Sequence, residues 1–260
     1  MFRQEPTQTM EKVSPADDAW AFGQEVAAVL DPILADDFVG AWFVGSLALG
    51  GYVRGESDID IVGVCRRPIR KETKHVLAEQ LLEATTNCPA RGLEFSLYRA
   101  EVASAPGRHA DFEVNVNGGP RMARSVHLAA RHEPGFWYAI DRAIAHRQGL
   151  AISGPPGAEV FADLPRDVLL DAMGESMRWH REHEKATLYS VLNAGRAWRF
   201  AIENVLGSKL DGARWARERW RTPSLMDAAV DLRHGHPAHL DAGEVDEFLE
   251  HVEQVLALAA

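Results

Sequence analysis

Residues 41–65, AWFVGSLALGGYVRGESDIDIVGVC, constrain this chain more than any other stretch. Ala41 to Val44 is an apolar run long enough for one buried strand, and Gly45-Ser46 ends it at once. A compact segment with three glycines (Gly50, Gly51, Gly55) follows, then Ser57-Asp58-Ile59-Asp60, then a second apolar run from Ile61 to Cys65. The pattern reads as strand, turn, short helix, loop, strand. Side chains two apart in a strand point the same way, so Asp58 and Asp60 share one face while Ile59 and Ile61 enter the core. Two carboxylates on one face repel unless a cation lies between them, and a donor set of oxygens alone favours Mg²⁺. Gly45-Ser46, at a strand-to-helix turn, offers backbone N–H groups and a hydroxyl of the kind that captures phosphate. Each motif alone is weak: an Asp-x-Asp is usually a solvated strand end and a Gly-Ser an ordinary turn. Their combination, with the first Asp twelve residues after the Ser, is far more specific.

The 260 residues are 46% hydrophobic and 25% charged, ordinary for a globular protein and enough for two modest domains, each with its own core. The formal charge of −10 argues against nucleic acid as a partner, because a phosphate backbone calls for a basic surface. It is compatible with a cationic small molecule. Cys65 and Cys88, with no signal-peptide pattern ahead of them, read as buried cytosolic thiols. No apolar run approaches a membrane span.

Residues 1–13 are polar and unpatterned, a flexible tail. Ser14-Pro15 with Asp17 and Asp18 is a helix start, and the helix runs through Trp20, Phe22, Val26, Val29 and Leu30. Residues 71–84 repeat at helical spacing until Pro89 and Gly92 break the pattern. Leu93 to Tyr98 alternates as a half-buried strand whose one charged residue, Glu94, is either a carboxylate on the solvent face of an edge strand or a third carboxylate of the Asp site. Residues 111–120 alternate into a turn cluster, and 136–148 are helical. The Ile-Ser-Gly-Pro-Pro-Gly run at 152–157 reads as a rigid linker, which places the boundary between residues 1–154 and 155–260. Helical segments then follow at 167–185, 186–206, 213–220 (after a 209–212 connection), 224–233 and 242–259, a four- or five-helix bundle. The fold class is α+β: a mixed sheet with flanking helices, then an all-α domain. His180-Arg-Glu-His183-Glu184 reads as a solvated helix face, and His234, His236 and His239 as a solvated turn. Trp179, Trp198, Trp215 and Trp220 read as helix-packing residues.

Gly45-Ser46 with Asp58-x-Asp60 resembles the signature of the nucleotidyltransferase superfamily to which polymerase beta belongs. With Glu94, the 153–165 linker, the 189–198 segment and Lys209 added, the chain resembles the streptomycin/spectinomycin-type aminoglycoside adenylyltransferases. The resemblance covers most of residues 40–220. It implies an ATP- and Mg²⁺-dependent enzyme that moves AMP to an acceptor hydroxyl and confers antibiotic resistance. It assigns metal binding to Asp58 and Asp60, and phosphate binding to Gly45, Ser46 and Ser57, with Arg196 and Lys209 reaching in from the helical domain. Glu94 is either the general base or a third metal ligand, and the first is expected. Three positions depart from the family: Ala186 stands where an acidic residue is expected, Leu232 where a tyrosine is, and residues 111–120 lack a tryptophan. Glu182 or Glu184, one turn earlier, is the substitute expected for the missing acid. A protein or RNA acceptor and a non-catalytic nucleotide-binding module stay open as alternatives. A cytoplasmic monomer is expected.

Overall fold

The structure is a computed structural model that describes residues 15–108, 111–130 and 134–260. The expected tail at 1–13 and the expected cap at Ser14 lie outside the described residues. The first half runs α1 (Pro15–Leu34), β1 (Phe38–Phe43), α2 (Gly45–Ala48), β2 (Ile59–Cys65), α3 (Lys71–Ala84), β3 (Leu93–Arg99), α4 (Ala100–Ala103), β4 (Phe112–Gly119), β5 (Met122–His127), α5 (Gly135–Gln148) and β6 (Leu150–Ser153). The second half is helical: α6 (Arg166–His183), α7 (Leu188–Glu203), α8 (Lys209–Arg217), α9 (Pro223–Arg233) and α10 (Ala242–Ala259).

The six strands form one sheet in the order β5-β4-β3-β2-β1-β6. Only β2 and β3 pair in parallel, which requires the α3 crossover between them. Two strands were not expected from the sequence. Met122–His127 is a largely exposed hairpin partner of β4, and Leu150–Ser153, whose last two residues were read as the start of a linker, pairs with β1 instead. Both lie at the edges of the sheet, where few of their residues are buried and the sequence carries little apolar alternation.

Period-two alternation gives the sheet two apolar faces. Ile59, Ile61, Leu93, Phe95 and Val116 pack with the α1 stripe Ala19, Phe22, Val26 and Leu30 and with Leu77 and Leu81 of α3. Burying each such large side chain contributes roughly 1.5–3 kcal/mol. Trp42, Val62, Val64 and Tyr98 lie in the other cluster, which continues through Ile140 and Ile144 of α5 into Leu169, Met173, Leu192, Phe200 and Phe248 of the bundle. The sequence suggested a separate core for each half. The bundle shares one with the sheet instead, because α5 is apolar enough to be buried among both. The linker is tied down too, since the Trp42 indole N–H donates to the Pro155 carbonyl at 2.9 Å. Among the described residues no helix is long and apolar enough to cross a membrane.

Candidate active site

Strand register assembles the acidic centre. In the parallel β2–β3 pair Asp60 stands opposite Glu94, and across the antiparallel β3–β4 pair Glu94 stands opposite Asn117. Two residues along, Val62, Ser96 and Asn115 form the next row on the same face. Asp58, two before Asp60, joins that face at the mouth of β2. One carboxylate oxygen from each of Asp58, Asp60 and Glu94 falls within a 4.8 Å cluster. Three hard anionic oxygen donors so close together suit a Mg²⁺ ion.

Gly45 makes room for this. Its φ of +53° lies in the left-handed region, and a Cβ there would overlap the Asp60 carboxylate. Next to it, the Ser46 N–H donates to Asp60 Oδ2 at 3.4 Å. The Ser46 hydroxyl is buried with no hydrogen-bond partner among the described residues. A buried hydroxyl without a partner is costly unless a ligand supplies one.

The helical half closes over the acids. Thr187 caps α7 and Ser208 caps α8, each with a reciprocal capping box. Lys209 is therefore the first residue of a helix, where the sequence suggested a connection at 209–212. The Ser208–Asp211 capping box competes there with the breaking tendency of Gly212, and wins. Gly212 instead lets α8 touch α7, because a Cβ on it would strike the Arg196 backbone. That contact sets Arg196 and Lys209 side by side against Asp58, Asp60 and a fourth carboxylate, Asp141 of α5. A lysine at a helix N-terminus opposes the dipole. Here the carboxylates offset that cost.

The charges strain against burial. Asp60 is pushed well above the usual carboxylate range by burial, then by Asp58 and Glu94, with Lys209 and the Ser46 N–H opposing. Glu94 is raised to about 7 by burial, then by Asp58 and Asp141. It is exposed, but into the cleft, where protein surrounds it. Asp141 is raised to about 7 by burial and Asp60, against Arg196 and Lys209. Burial lowers both Arg196 and Lys209, and nearby carboxylates restore part of each shift. A set of groups this perturbed in one cleft is the pattern of a candidate functional centre.

The cleft encloses about 490 Å³, within the range of small-molecule sites. Gly45, Ser46, Asp58, Asp60, Glu94, Arg196 and Lys209 all line it, so the structure brings seven of the sequence-derived residues together. Glu184 lines it as well, held by His180 Nδ1 at 2.7 Å and by the Thr187 hydroxyl at 3.2 Å. The His180 bond, first among the causes, depresses the Glu184 pKa.

Three readings need correction. Ser57 is fully buried and its Oγ accepts from the Val53 N–H at 2.9 Å and from Arg233 Nη2 at 2.7 Å. It braces the loop before Asp58 and does not face phosphate. Glu182 is exposed and does not line the cleft, because it lies about 200° around α6 from the face that carries His180 and Glu184. His180 is 1% exposed, so the segment is not a solvated face along its whole length.

The sequence reading also missed Arg91, Asp141, Tyr189, Asn193 and Arg233, which line the same cleft. Arg91 donates to the Tyr189 hydroxyl, and Lys209 Nζ stands 5.4 Å from the centre of the same ring, so Tyr189 links the two halves. The missed signal was a polar residue on an apolar helical stripe. Arg233 follows Leu225, Met226 and Ala229, and Asn193 precedes Ala197 and Phe200, at helical spacing.

Known proteins bear on this site. The model of the family described as "Aminoglycoside adenylyltransferase, C-terminal domain" matches residues 159–256. An aminoglycoside (3'') (9) adenylyltransferase of Rhizobium radiobacter is 27% identical over 246 residues, covering 88% of this chain and 89% of its own. One of the same name from Klebsiella pneumoniae is 26% identical over 249 residues, covering 88% and 91%. Among solved structures, spectinomycin adenyltransferase AAD(9) from Enterococcus faecialis, crystallised with ATP and spectinomycin, aligns with a TM-score of 0.72 at 14% identity. It covers 92% of this chain and 99% of that one, which shows a common fold.

Proposed function

We propose that this chain, which is similar over most of its length to aminoglycoside adenylyltransferases, transfers AMP from ATP to a hydroxyl of a cationic, aminoglycoside-like small molecule, and so serves antibiotic resistance. The observation that carries this reading is the facing of Asp58, Asp60 and Glu94 by Arg196 and Lys209 across one cleft.

In this reading residues 1–154 form the nucleotidyltransferase half and 155–260 the half that completes it. Arg196 and Lys209 bind the β- and γ-phosphates of ATP, and the unpartnered Ser46 hydroxyl donates to a phosphate oxygen. Asp58 and Asp60 would hold Mg²⁺, whose bound charge neutralises the α-phosphate and the departing pyrophosphate. The acceptor oxygen attacks the α-phosphorus and the bond from that phosphorus to the bridging oxygen breaks. Pyrophosphate leaves, and Glu94 takes the hydroxyl proton. A base raised to about 7 is matched to that task near neutral pH. Charge stabilisation and positioning carry most of the rate in such transfers. Glu184, held ionised by His180, offers an anionic wall to a cationic acceptor. One chain supplies every group, so a monomer suffices, and the free thiols of Cys65 and Cys88 suit the cytoplasm.

The test is a panel of aminoglycosides and neutral alcohols incubated with ATP·Mg²⁺ and read by pyrophosphate release and product mass, with Asp58→Asn and Asp60→Asn as controls. An AMP ester of a cationic acceptor, absent in both controls, is the expected result. Transfer only to neutral, protein or RNA acceptors would remove the aminoglycoside reading and keep the enzyme class.

A further inference from the structure

Four side chains that line the cleft form one hydrogen-bonded line. Arg196 Nη2 donates to Asn193 Oδ1 at 3.0 Å, Asn193 Nδ2 lies 3.0 Å from His180 Nε2, and His180 Nδ1 lies 2.7 Å from Glu184 Oε2. His180 and Asn193 are 1% and 3% exposed, so water does not compete for these bonds. Glu184 stands on the side read as the acceptor's, and Arg196 on the nucleotide's.

The ends determine the polarity of the whole line. A guanidinium only donates, so the amide oxygen of Asn193 must face Arg196. That turns the amide nitrogen, also only a donor, toward His180, whose Nε2 must accept. The ring proton is then on Nδ1, where the carboxylate of Glu184 accepts it. Each bond has one orientation, and none can reverse without stranding two donors or two acceptors in a buried site. Asn193 is one turn before Arg196 on α7, so it can hold the guanidinium only if its own amide is held, and His180 of α6 does that.

We propose that His180 and Asn193 are positioning residues of the transfer reaction, in a Glu184–His180–Asn193–Arg196 relay that aims Arg196 at the nucleotide phosphates and ties its aim to a carboxylate facing the acceptor. The inference rests on the reading of Arg196 as a phosphate ligand. Among the described residues no carboxylate is hydrogen-bonded to Arg196, and Asn193 supplies its side-chain acceptor. An arginine on a flexible stem loses rotamer freedom when it clamps a phosphate, and a pre-aimed one has lost part of it already. Because Glu184 orients the ring, a ligand that engages Glu184 acts on the same line that holds Arg196.

The experiment is a double-mutant cycle on ATP·Mg²⁺ affinity, measured by calorimetry on the full chain. Asn193→Leu and His180→Leu should each weaken ATP binding about tenfold, the size of one hydrogen bond to a charged group. In an Arg196→Ala background the same changes should shift it less than twofold. His180→Gln keeps an acceptor toward Asn193 and a donor toward Glu184, so it should restore most of the affinity lost in His180→Leu. That variant also serves if the leucine proteins fail to fold. A second readout is independent of activity: ¹⁵N resonances of His180 in the neutral ring should show the proton on Nδ1. Equal losses in both backgrounds, no rescue by glutamine, or a proton on Nε2 would overturn the relay. ATP binding in the parent that ignores these substitutions would overturn the relay alone, whereas a parent that binds no ATP would overturn the nucleotidyltransferase reading with it.

Discussion

Arg233 of α9 donates to the hydroxyl of Ser57 at 2.7 Å across 176 residues of sequence, and Ser57 is the residue before Asp58. The same guanidinium donates to the Glu56 carbonyl at 3.2 Å, and Ser57 in turn accepts from the Val53 N–H. The loop that delivers Asp58 is thus pinned from the helical half. Removing Arg233 takes a charged donor from the buried Ser57 hydroxyl, which keeps only the Val53 N–H, and another from the Glu56 carbonyl. We expect Arg233→Met to cost about 2–4 kcal/mol of stability, and to weaken Mg²⁺-dependent turnover through a looser Asp58. Denaturant unfolding and pyrophosphate release measure the two effects. A variant as stable as the parent would show that the Arg233–Ser57 bond is dispensable.

Gly45→Ala tests the turn. The left-handed φ alone costs about 1–2 kcal/mol for an L side chain, and the added methyl collides with the Asp60 carboxylate. Asp60 must then move, and a displacement of about 1 Å at a reacting centre costs on the order of a hundredfold in rate. Turnover at saturating Mg²⁺ should fall by roughly that factor while circular dichroism stays near that of the parent. Parent-like turnover would mean that Asp60 tolerates displacement.

How far the sequence could be read follows from where each contact comes from. Asp58, Asp60 and Glu94 were legible because a strand's period of two is local, and the β2–β3 register then sets Asp60 beside Glu94. Arg196 and Lys209 have no such local mark, and only family resemblance pointed to them. Ser57 was misread for the opposite reason: its partner, Arg233, lies in another helix, and nothing near Ser57 announces it. Lys209 as a helix start was within reach, since Ser208 and Asp211 have capping-box spacing, but residues 209–212 were read as a connection. Whether a glycine breaks a helix or lets two helices touch depends on the neighbour, here the backbone of Arg196.

The crowded acids make the cleft sensitive to pH. Asp141, ordinarily near 3.8, and Glu94, ordinarily near 4.5, are both raised to about 7 in the folded protein. A carboxyl group with a raised folded pKa binds more protons folded than unfolded. Its contribution is therefore fully present below about pH 4 and is lost as pH rises through about 7. Glu184, depressed by His180, acts the other way and loses its contribution only on the acid side. Without metal or nucleotide, the melting temperature should fall between about pH 5 and pH 8, and millimolar Mg²⁺ should flatten that fall. Asp141→Asn should shrink the slope. A melting temperature that rises over this interval in the metal-free protein would contradict the burial assigned to these groups.

Glu94 carries the sharpest mechanistic prediction. Its carboxylate stands close enough to Asp58 and Asp60 to share an ion with them, yet it lines the cleft and is open to it, as a base that meets an acceptor hydroxyl must be. As a metal ligand it would be needed to bind ATP·Mg²⁺. As a base it would be needed only for transfer. Lys209, and after it Arg91, favour its ionised form. We expect Glu94→Gln to hold ATP·Mg²⁺ affinity within a few-fold of the parent, since the Asp pair, Arg196 and Lys209 are untouched. Turnover should fall by roughly two to four powers of ten, the usual span for a lost general base. The glutamine also removes a negative charge from a crowded centre, so Asp60 should ionise more readily and Mg²⁺ should bind no more weakly than by that few-fold. Calorimetry for ATP·Mg²⁺ and single-turnover AMP transfer separate the two roles. A Glu94→Gln protein that has lost ATP·Mg²⁺ binding along with turnover would reassign the residue to the metal site and leave the proton acceptor to be sought in Asp141.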